Sequence, residues 1–350
     1  AVAIANLIGS AISSVFWLVL ASLMDAEQYG EINYFIAIAS VASVISFLGA
    51  GNALMVFSAK EKKIESPLLI ITTIASIISA LILFALFSNI AISLFVIGWV
   101  IFNHLIYESL GRKAYPSFSK YFIIQRVLLV GFGIGLYFVL GPTGVVLGYA
   151  LSFFPFIFKI YKKYQISKNE FSLLREKIPF MRDSYGLSLL AISGVYLDRL
   201  IIAPVFGYAF LGNYHLSFQI LMILTTISGI VFSYLLPQEA SGKPHKKLWS
   251  ITILIVLVTS ILTIILAPSI LPILIPKYGP AIDLIQIMSI AAVFMTITLR
   301  YTSMFLADEK SKVVVIGKGV YLTSHIIGIY SLGTMLGIQG VAWSFVIASV

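Results

Sequence analysis

The chain contains no cysteine. Disulfides, thiolate nucleophiles and cysteine-ligated metals are excluded together by that one absence. Charge is scarce as well: 11% of the 350 residues are charged, with 14 acidic side chains against 23 basic ones. A soluble globular chain carries about 25% charged and about 45–50% apolar residues. Here the apolar share is 60% and the mean hydropathy is +1.03. Too little polar surface exists to cover a water-exposed particle of this size, so the apolar excess must face lipid. Also missing are an HExxH metal motif, a Walker-type phosphate loop and a nucleotide-binding domain, so ATP drive within this chain is not expected. The first apolar run already includes Ala1, and neither end shows the n-region and cleavage site of a signal peptide. The chain ends at Val350 inside another such run and reads as a segment clipped at both ends.

What is abundant is long apolar sequence. A bilayer core of about 30 Å requires about 20 apolar residues in helix. Twelve candidate spans follow: 1–22, 31–57, 67–87, 90–110, 117–140, 144–162, 184–205, 209–236, 248–267, 281–306, 313–335 and an incomplete 338–350. Only Ser88-Asn89 separates the third from the fourth. The runs are too long and too little alternating for barrel strands. The expected fold class is an all-α membrane protein of about twelve transmembrane helices.

The net charge of +9 could suggest nucleic acid, but its distribution argues for membrane orientation. One alternate set of loops holds Lys60, Lys62 and Lys63; Arg112, Lys113 and Lys120; Lys159, Lys162, Lys163, Lys168, Arg175, Lys177 and Arg182; Lys243, Lys246 and Lys247; and Lys310 and Lys312. The other set holds only Lys277. Alternation this strict supports the span count, and by the positive-inside rule the basic loops are cytoplasmic.

The sequence also repeats itself. Ser119-Lys120 with Ile124 and Arg126 echoes Ser311-Lys312 with Ile316 and Lys318. Leu140-Gly141-x-x-Gly144-Val145 echoes Leu336-Gly337-x-x-Gly340-Val341, and Tyr29-Gly30 lies opposite Leu211-Gly212. Six spans per half insert both halves the same way round, and transporters built so place substrate at the interface of the halves. The expected lobes are 1–162 and 184–350, joined by a basic linker at 163–183. In that linker Phe171, Leu173, Leu174 and Ile178 form a modest amphipathic pattern suited to the membrane surface.

Three stretches carry a family resemblance. Asp25-Ala26-Glu27-Gln28-Tyr29-Gly30 follows the first span. Asp198-Arg199-Leu200-Ile201-Ile202 in the seventh span precedes Phe206-Gly207 and Leu211-Gly212-Asn213-Tyr214. Lys277-Tyr278-Gly279-Pro280-Ala281 precedes the tenth. In these the chain resembles, over its whole length, the polysaccharide-export flippases of the MATE-like superfamily, the Wzx-type proteins. The resemblance implies two six-helix lobes around a central cavity and alternating access. The implied cargo is an oligosaccharide linked to an isoprenoid pyrophosphate.

Ionisable residues inside a span are functional hypotheses by default. Four basic residues lie in spans: Arg126, Arg199, Arg300 and Lys318. Arg126, Arg300 and Lys318 sit near the basic ends, where long side chains either snorkel to the interface or face a cavity. Arg199 lies deep beside Asp198, as half of a structural ion pair or as a cavity cation whose fork holds cargo phosphate. Polar faces occur on the first span (Asn6, Ser10, Ser13, Trp17), the seventh (Ser184, Ser188, Asp198, Arg199) and the eighth (His215, Gln219, Thr226, Ser233). The tenth adds Ser289, Thr296, Arg300 and Ser303, and the eleventh Lys318, Tyr321 and His325. Such stripes line a cavity or hydrogen-bond to neighbouring helices. His104 with Glu108 one turn on is either a proton relay or core packing, and His245 in a Lys loop is expected to be solvated.

The expected function is a non-enzymatic flippase of the plasma membrane with no cofactor and an H+ or Na+ coupling ion at most. Its partners would be the lipid bilayer, the lipid-linked oligosaccharide and glycan-assembly enzymes, with no nucleic acid. The alternatives are a MATE-type cation-coupled exporter, a membrane-embedded glycan polymerase or ligase, and a scaffold.

Overall fold

The computed structural model describes residues 2–61, 64–161, 168–242 and 245–350, without the side chains at 161, 168–170, 172 and 237. The basic residues Lys62, Lys63, Lys162, Lys163 and Lys243, and the first part of the expected linker, lie outside the described residues. Among those described, all regular structure is helical. The helices are α1 (Val2–Leu23), α2 (Ala26–Phe47), α3 (Ala50–Ala59), α4 (Glu65–Phe87), α5 (Ile90–Gly111), α6 (Tyr115–Leu140) and α7 (Pro142–Leu151). After a 3-10 turn at Phe154–Phe156 come α8 (Ile157–Tyr161), α9 (Lys168–Arg175), α10 (Ile178–Phe206), α11 (Tyr208–Ala240), α12 (Lys246–Leu274), α13 (Ala281–Ala307) and α14 (Ser311–Ser349).

The expected spans appear, with three refinements. The second breaks into α2 and α3 at Leu48 and Gly49, consecutive residues with φ of 50° and 73°. The sixth breaks after α7, where Pro155 in the 3-10 turn removes a helical donor. The eleventh and twelfth, given the single label α14, are two helices that meet at Gly337, whose φ of 60° and ψ of −138° are non-helical. The narrow Ser88-Asn89 division is real: Ser88 ends α4 at φ 51°, and the Asn89 side chain accepts from the amides of Ala91 and Ile92 to start α5. Asp25 starts α2 in the same way, its Oδ1 accepting from the Gln28 amide at 2.8 Å.

Contacts divide the chain into two compact units. One contains Ala1–Leu20 and Glu31–Ile201; the other contains Ala21–Gly30 and Ile202–Val350. This grouping assigns most of α10 to the first unit, whereas the repeat pattern counts 184–350 as a lobe.

The first unit is built around two apolar centres. Phe47, Leu54, Phe57, Ile64, Leu68 and Val100 form one cluster, into which α9 inserts Leu174, with Leu173 and Met181 packed alongside. Phe171 and Ile178 of the linker stay exposed. The other centre is aromatic: Phe95, Tyr149 and Phe153 meet with ring centroids 5.0–5.5 Å apart, and Phe102 bridges Phe153 and Phe156 at 5.5 and 5.0 Å.

The second unit packs α11, α12 and α13 through small side chains. Ala281, Ala291, Ala292 and Ser289 on α13 are all essentially inaccessible. They allow α11 to approach closely enough for Ser217 to donate to the Ala281 carbonyl and for Ser228 to bond Thr296 at 2.8 Å.

The internal repeat has physical content at two places. Gly141 and Gly337 share one backbone conformation, with φ, ψ of 68°, −149° and 60°, −138°. Three residues later, a Cβ on Gly144 would sit 2.1 Å from the Leu136 carbonyl oxygen, and one on Gly340 would sit 1.9 Å from that of Leu332. Both halves therefore reverse direction by the same glycine-dependent turn, in which a helix presses against the backbone just before it. The second place is the start of α2 and of α11. A Cβ on Gly30 would lie 1.8 Å from the Tyr208 carbonyl oxygen, and one on Gly212 would lie 1.8 Å from that of Ala26. Each glycine meets the residue four before the other. The two repeated segments thus cross reciprocally, as elements related by a local two-fold axis do.

Candidate functional site

On α10, Arg199 is buried at 7% exposure and Asp198 at 9%. The Asp198 carboxylate accepts from the Arg199 backbone amide at 2.7 Å, and the Arg199 guanidinium lies 4.9 Å from the centroid of the Tyr196 ring. Aromatic stacking lowers the desolvation penalty of a buried cation. Tyr196 carries no polar signal of its own in the sequence. Its spacing of three from Arg199, which puts both on one helix face, was the available signal. On the same helix Ser188 is half-buried and its hydroxyl donates to the Ser184 carbonyl, so its bond is made within the helix.

Arg126 on α6 is half-buried. It lies 5.0 Å from the Phe122 ring centroid and its Nη1 is 3.4 Å from the Tyr149 hydroxyl. One residue earlier, buried Gln125 donates to the Ser152 hydroxyl at 2.9 Å. On α1, Asn6 and Ser10 are exposed while Ser13 and Trp17 are half-buried.

In the second unit His215 is buried at 4% and its ring lies 5.5 Å from that of Tyr29, which in turn meets Tyr278 edge-on at 6.0 Å. The Tyr278 hydroxyl donates to the Asp25 carbonyl at 3.1 Å and Lys277 reaches the Leu23 carbonyl at 3.4 Å. Three separate stretches of the family resemblance, around Tyr29, Gly212 and Tyr278, therefore converge. Gln219 is half-buried one turn beyond His215, while Thr226 and Ser233 are exposed and donate to carbonyls of their own helix. The polar face of α11 is thus occupied at its start and self-satisfied further on.

The stripe on α13 turns inward. Thr296 bonds Ser228, and Ser303 donates to Glu239 Oε2 while Glu239 Oε1 accepts from the Trp249 indole at 2.9 Å. Arg300, one turn before Ser303, is half-buried. Glu239 was not singled out in the sequence, because it lies at the end of a span where an acidic residue ordinarily faces solvent. On α14 Lys318 is exposed, while His325 is buried, 3.1 Å from the Ser344 hydroxyl and edge-on to Phe345. His325 and Ser344 lie on either side of the Gly337 turn.

His104 and Glu108 go to different partners. His104 Nε2 lies 2.6 Å from the Thr72 hydroxyl and its ring packs edge-on against Phe47. Glu108 pairs with Arg112 at 2.7 Å, and Arg112 also bonds Glu65 at 3.0 Å. Among the described residues no group of three or more His, Asp or Glu side chains could hold a metal ion.

No family profile matches the chain, and no curated protein matches it in sequence. The fold, however, is shared with solved structures. The lipid II flippase MurJ, in an inward closed conformation, is similar with a TM-score of 0.77 and 14% identity, covering 99% of this chain and 84% of MurJ. An inward-facing multidrug resistance MATE family transporter of the MOP superfamily gives 0.70 and 14% over 97% of this chain and 90% of its own. A mutant of the Vibrio cholerae MATE transporter VcmN gives 0.60 and 14% over 99% and 91%. The class of protein is therefore a multi-span, all-helical membrane protein. The particular fold is the one common to MurJ and the MATE transporters.

Proposed function

We propose that this protein is a flippase of the plasma membrane. It carries an isoprenoid-(pyro)phosphate-linked oligosaccharide from the cytoplasmic to the outer leaflet by alternating access between two six-helix lobes. The observation that carries this reading is Arg199, a cation buried within an apolar helix and stacked on Tyr196, in a fold shared with a lipid II flippase. A buried guanidinium has a purpose when an anionic group is to be drawn out of water. Arg126, Arg300 and Lys318 extend the same positive character toward the basic loops, and His215, Gln219, Asn6 and Ser188 supply neutral donors and acceptors suited to sugar hydroxyls. The lipid tail remains in the bilayer while the head crosses. The basic loops are cytoplasmic on this reading, and glycan-assembly enzymes supply the cargo.

The test is complementation of a flippase-deficient cell by the wild-type chain and by Arg199→Lys, Arg199→Ala and Arg199→Glu. Retained charge in Arg199→Lys should support partial glycan export, and Arg199→Glu should abolish it at unchanged membrane abundance. Full export by Arg199→Glu would remove the proposed role.

A second reading, a MATE-type cation-coupled exporter, is favoured by the likeness to MATE transporters and by the buried carboxylate of Asp198 within α10. Cation-driven efflux of a cationic dye from vesicles, lost in Asp198→Asn, would select it over the flippase.

A further inference from the structure

Two cavities open at the basic end of the first unit, on either side of Arg112. The larger, about 570 Å³, mixes charges, with Glu61 and Glu65 opposite Arg112 and Lys113. The smaller, about 240 Å³, is different in kind. Arg112, Lys159, Ser117, Tyr121 and Ser109 line it together with Leu105 and Ala114, and among the described residues no carboxylate lines it.

Each wall has a definite role. Glu65 and Glu108 grip the Arg112 guanidinium at 3.0 and 2.7 Å, which fixes its position at the partition between the two cavities. Lys159 is exposed and contributes an ammonium to the lining. Ser117 and Tyr121 are one turn apart on α6 and offer two hydroxyls on one face. Ser109 is already committed, donating to the Leu105 carbonyl at 2.7 Å. The first turn of α6 holds no acidic residue to oppose an anion. Next to the lining residues in sequence the surface is apolar: Phe158, which precedes Lys159, is 75% exposed, and Tyr115, which follows Ala114, is 43% exposed. Such a surface belongs against acyl chains and not in water.

We propose that this pocket binds the phosphate headgroup of an anionic membrane lipid, with the Lys159 ammonium meeting the charge, Ser117 and Tyr121 bonding its oxygens, and the acyl chains lying along Phe158. The site is distinct from the buried residues around Arg199 and stands independently of the transport reading.

The test uses the purified full chain and native mass spectrometry with phosphatidylglycerol or phosphatidylcholine added. Wild type should retain phosphatidylglycerol in preference to phosphatidylcholine. Lys159→Gln should lower the retained fraction about five- to tenfold, the value of one lysine near an anionic headgroup. The double variant Ser117→Ala with Tyr121→Phe, which leaves charge untouched, should also lower it. Lys247→Gln, in the first turn of α12 in the second unit, should leave it unchanged. Equal retention by wild type, Lys159→Gln and the hydroxyl variant would overturn the assignment. An equal loss in Lys247→Gln would also overturn it, because overall charge would then be responsible. Thermal stabilisation by inorganic phosphate alone, with no retained lipid, would assign the pocket to a free anion and overturn the lipid.

Discussion

Replacing Gly212 by Ala adds one methyl group where α2 and α11 cross. The new carbon would stand 1.8 Å from the Ala26 carbonyl oxygen, 2.7 Å from its carbon and 3.1 Å from its Cα. A relaxed carbon–oxygen contact is nearer 3.3 Å, so the segments must part by roughly 1.5 Å. Every atom met is backbone, so no rotamer change relieves the overlap. Overpacking of this kind costs about 1–3 kcal/mol. Against it stands the higher helix propensity of alanine, about 1 kcal/mol. The steric effect wins by up to about 2 kcal/mol, which lowers Tm by up to roughly 3 °C in a chain of this size. Gly229 on the same helix has open space around its Cβ position, so Gly229→Ala feels only the propensity gain and should hold or raise Tm. Opposite signs for two Gly→Ala changes on one helix, read by thermal unfolding in detergent at a fixed scan rate, form the signature. Gly30→Ala should behave as Gly212→Ala does, and the double variant should lose less than the sum, since both open the same crossing. A Tm for Gly212→Ala at or above that of Gly229→Ala would refute the reciprocal crossing.

Three other outcomes are expected. Thr72→Val removes the partner of buried His104 and should destabilise by about 1–3 kcal/mol, much of it regained when His104→Phe is added, as thermal unfolding of the single and double variants would show. Arg112→Ala leaves the buried carboxylates of Glu65 and Glu108 without their shared cation. It should destabilise by about 2–3 kcal/mol, less than for a fully buried pair because Arg112 is half exposed. Adding Glu65→Gln and Glu108→Gln should restore most of that loss. Ser303→Ala withdraws one of the two donors to Glu239 and should destabilise by about 1 kcal/mol, whereas Ser233→Ala, an exposed serine bonded only within its own helix, should change stability by a few tenths at most.

Much of the fold was legible because membrane physics acts on composition and run length. Lipid cannot solvate a backbone, so each long apolar run must be helix, and even the two-residue break at Ser88-Asn89 survived as a left-handed end and an asparagine cap. The breaks at Leu48-Gly49 and within the sixth span were not legible, since an apolar run continues through both. Of the site, burial of Arg199 could be expected from its depth in the run. The stripe on α13 could not be resolved, because a serine that lines water and one that bonds a neighbouring helix have the same spacing. Thr296 and Ser303 turned to partners 68 and 64 residues away in sequence.

By itself, then, the sequence determined the helical membrane architecture, the span order, the repeat and the places where ionisable groups enter helices, because each follows from hydropathy and period along one strand of chain. Only the tertiary structure decided what those groups meet. It gave Arg199 to Tyr196, separated His104 from Glu108 in favour of Thr72 and Arg112, and brought Gly30 against Tyr208 and Gly212 against Ala26. Partner choice depends on which helices cross and how closely. That is set by packing many residues at once, and no local pattern records it.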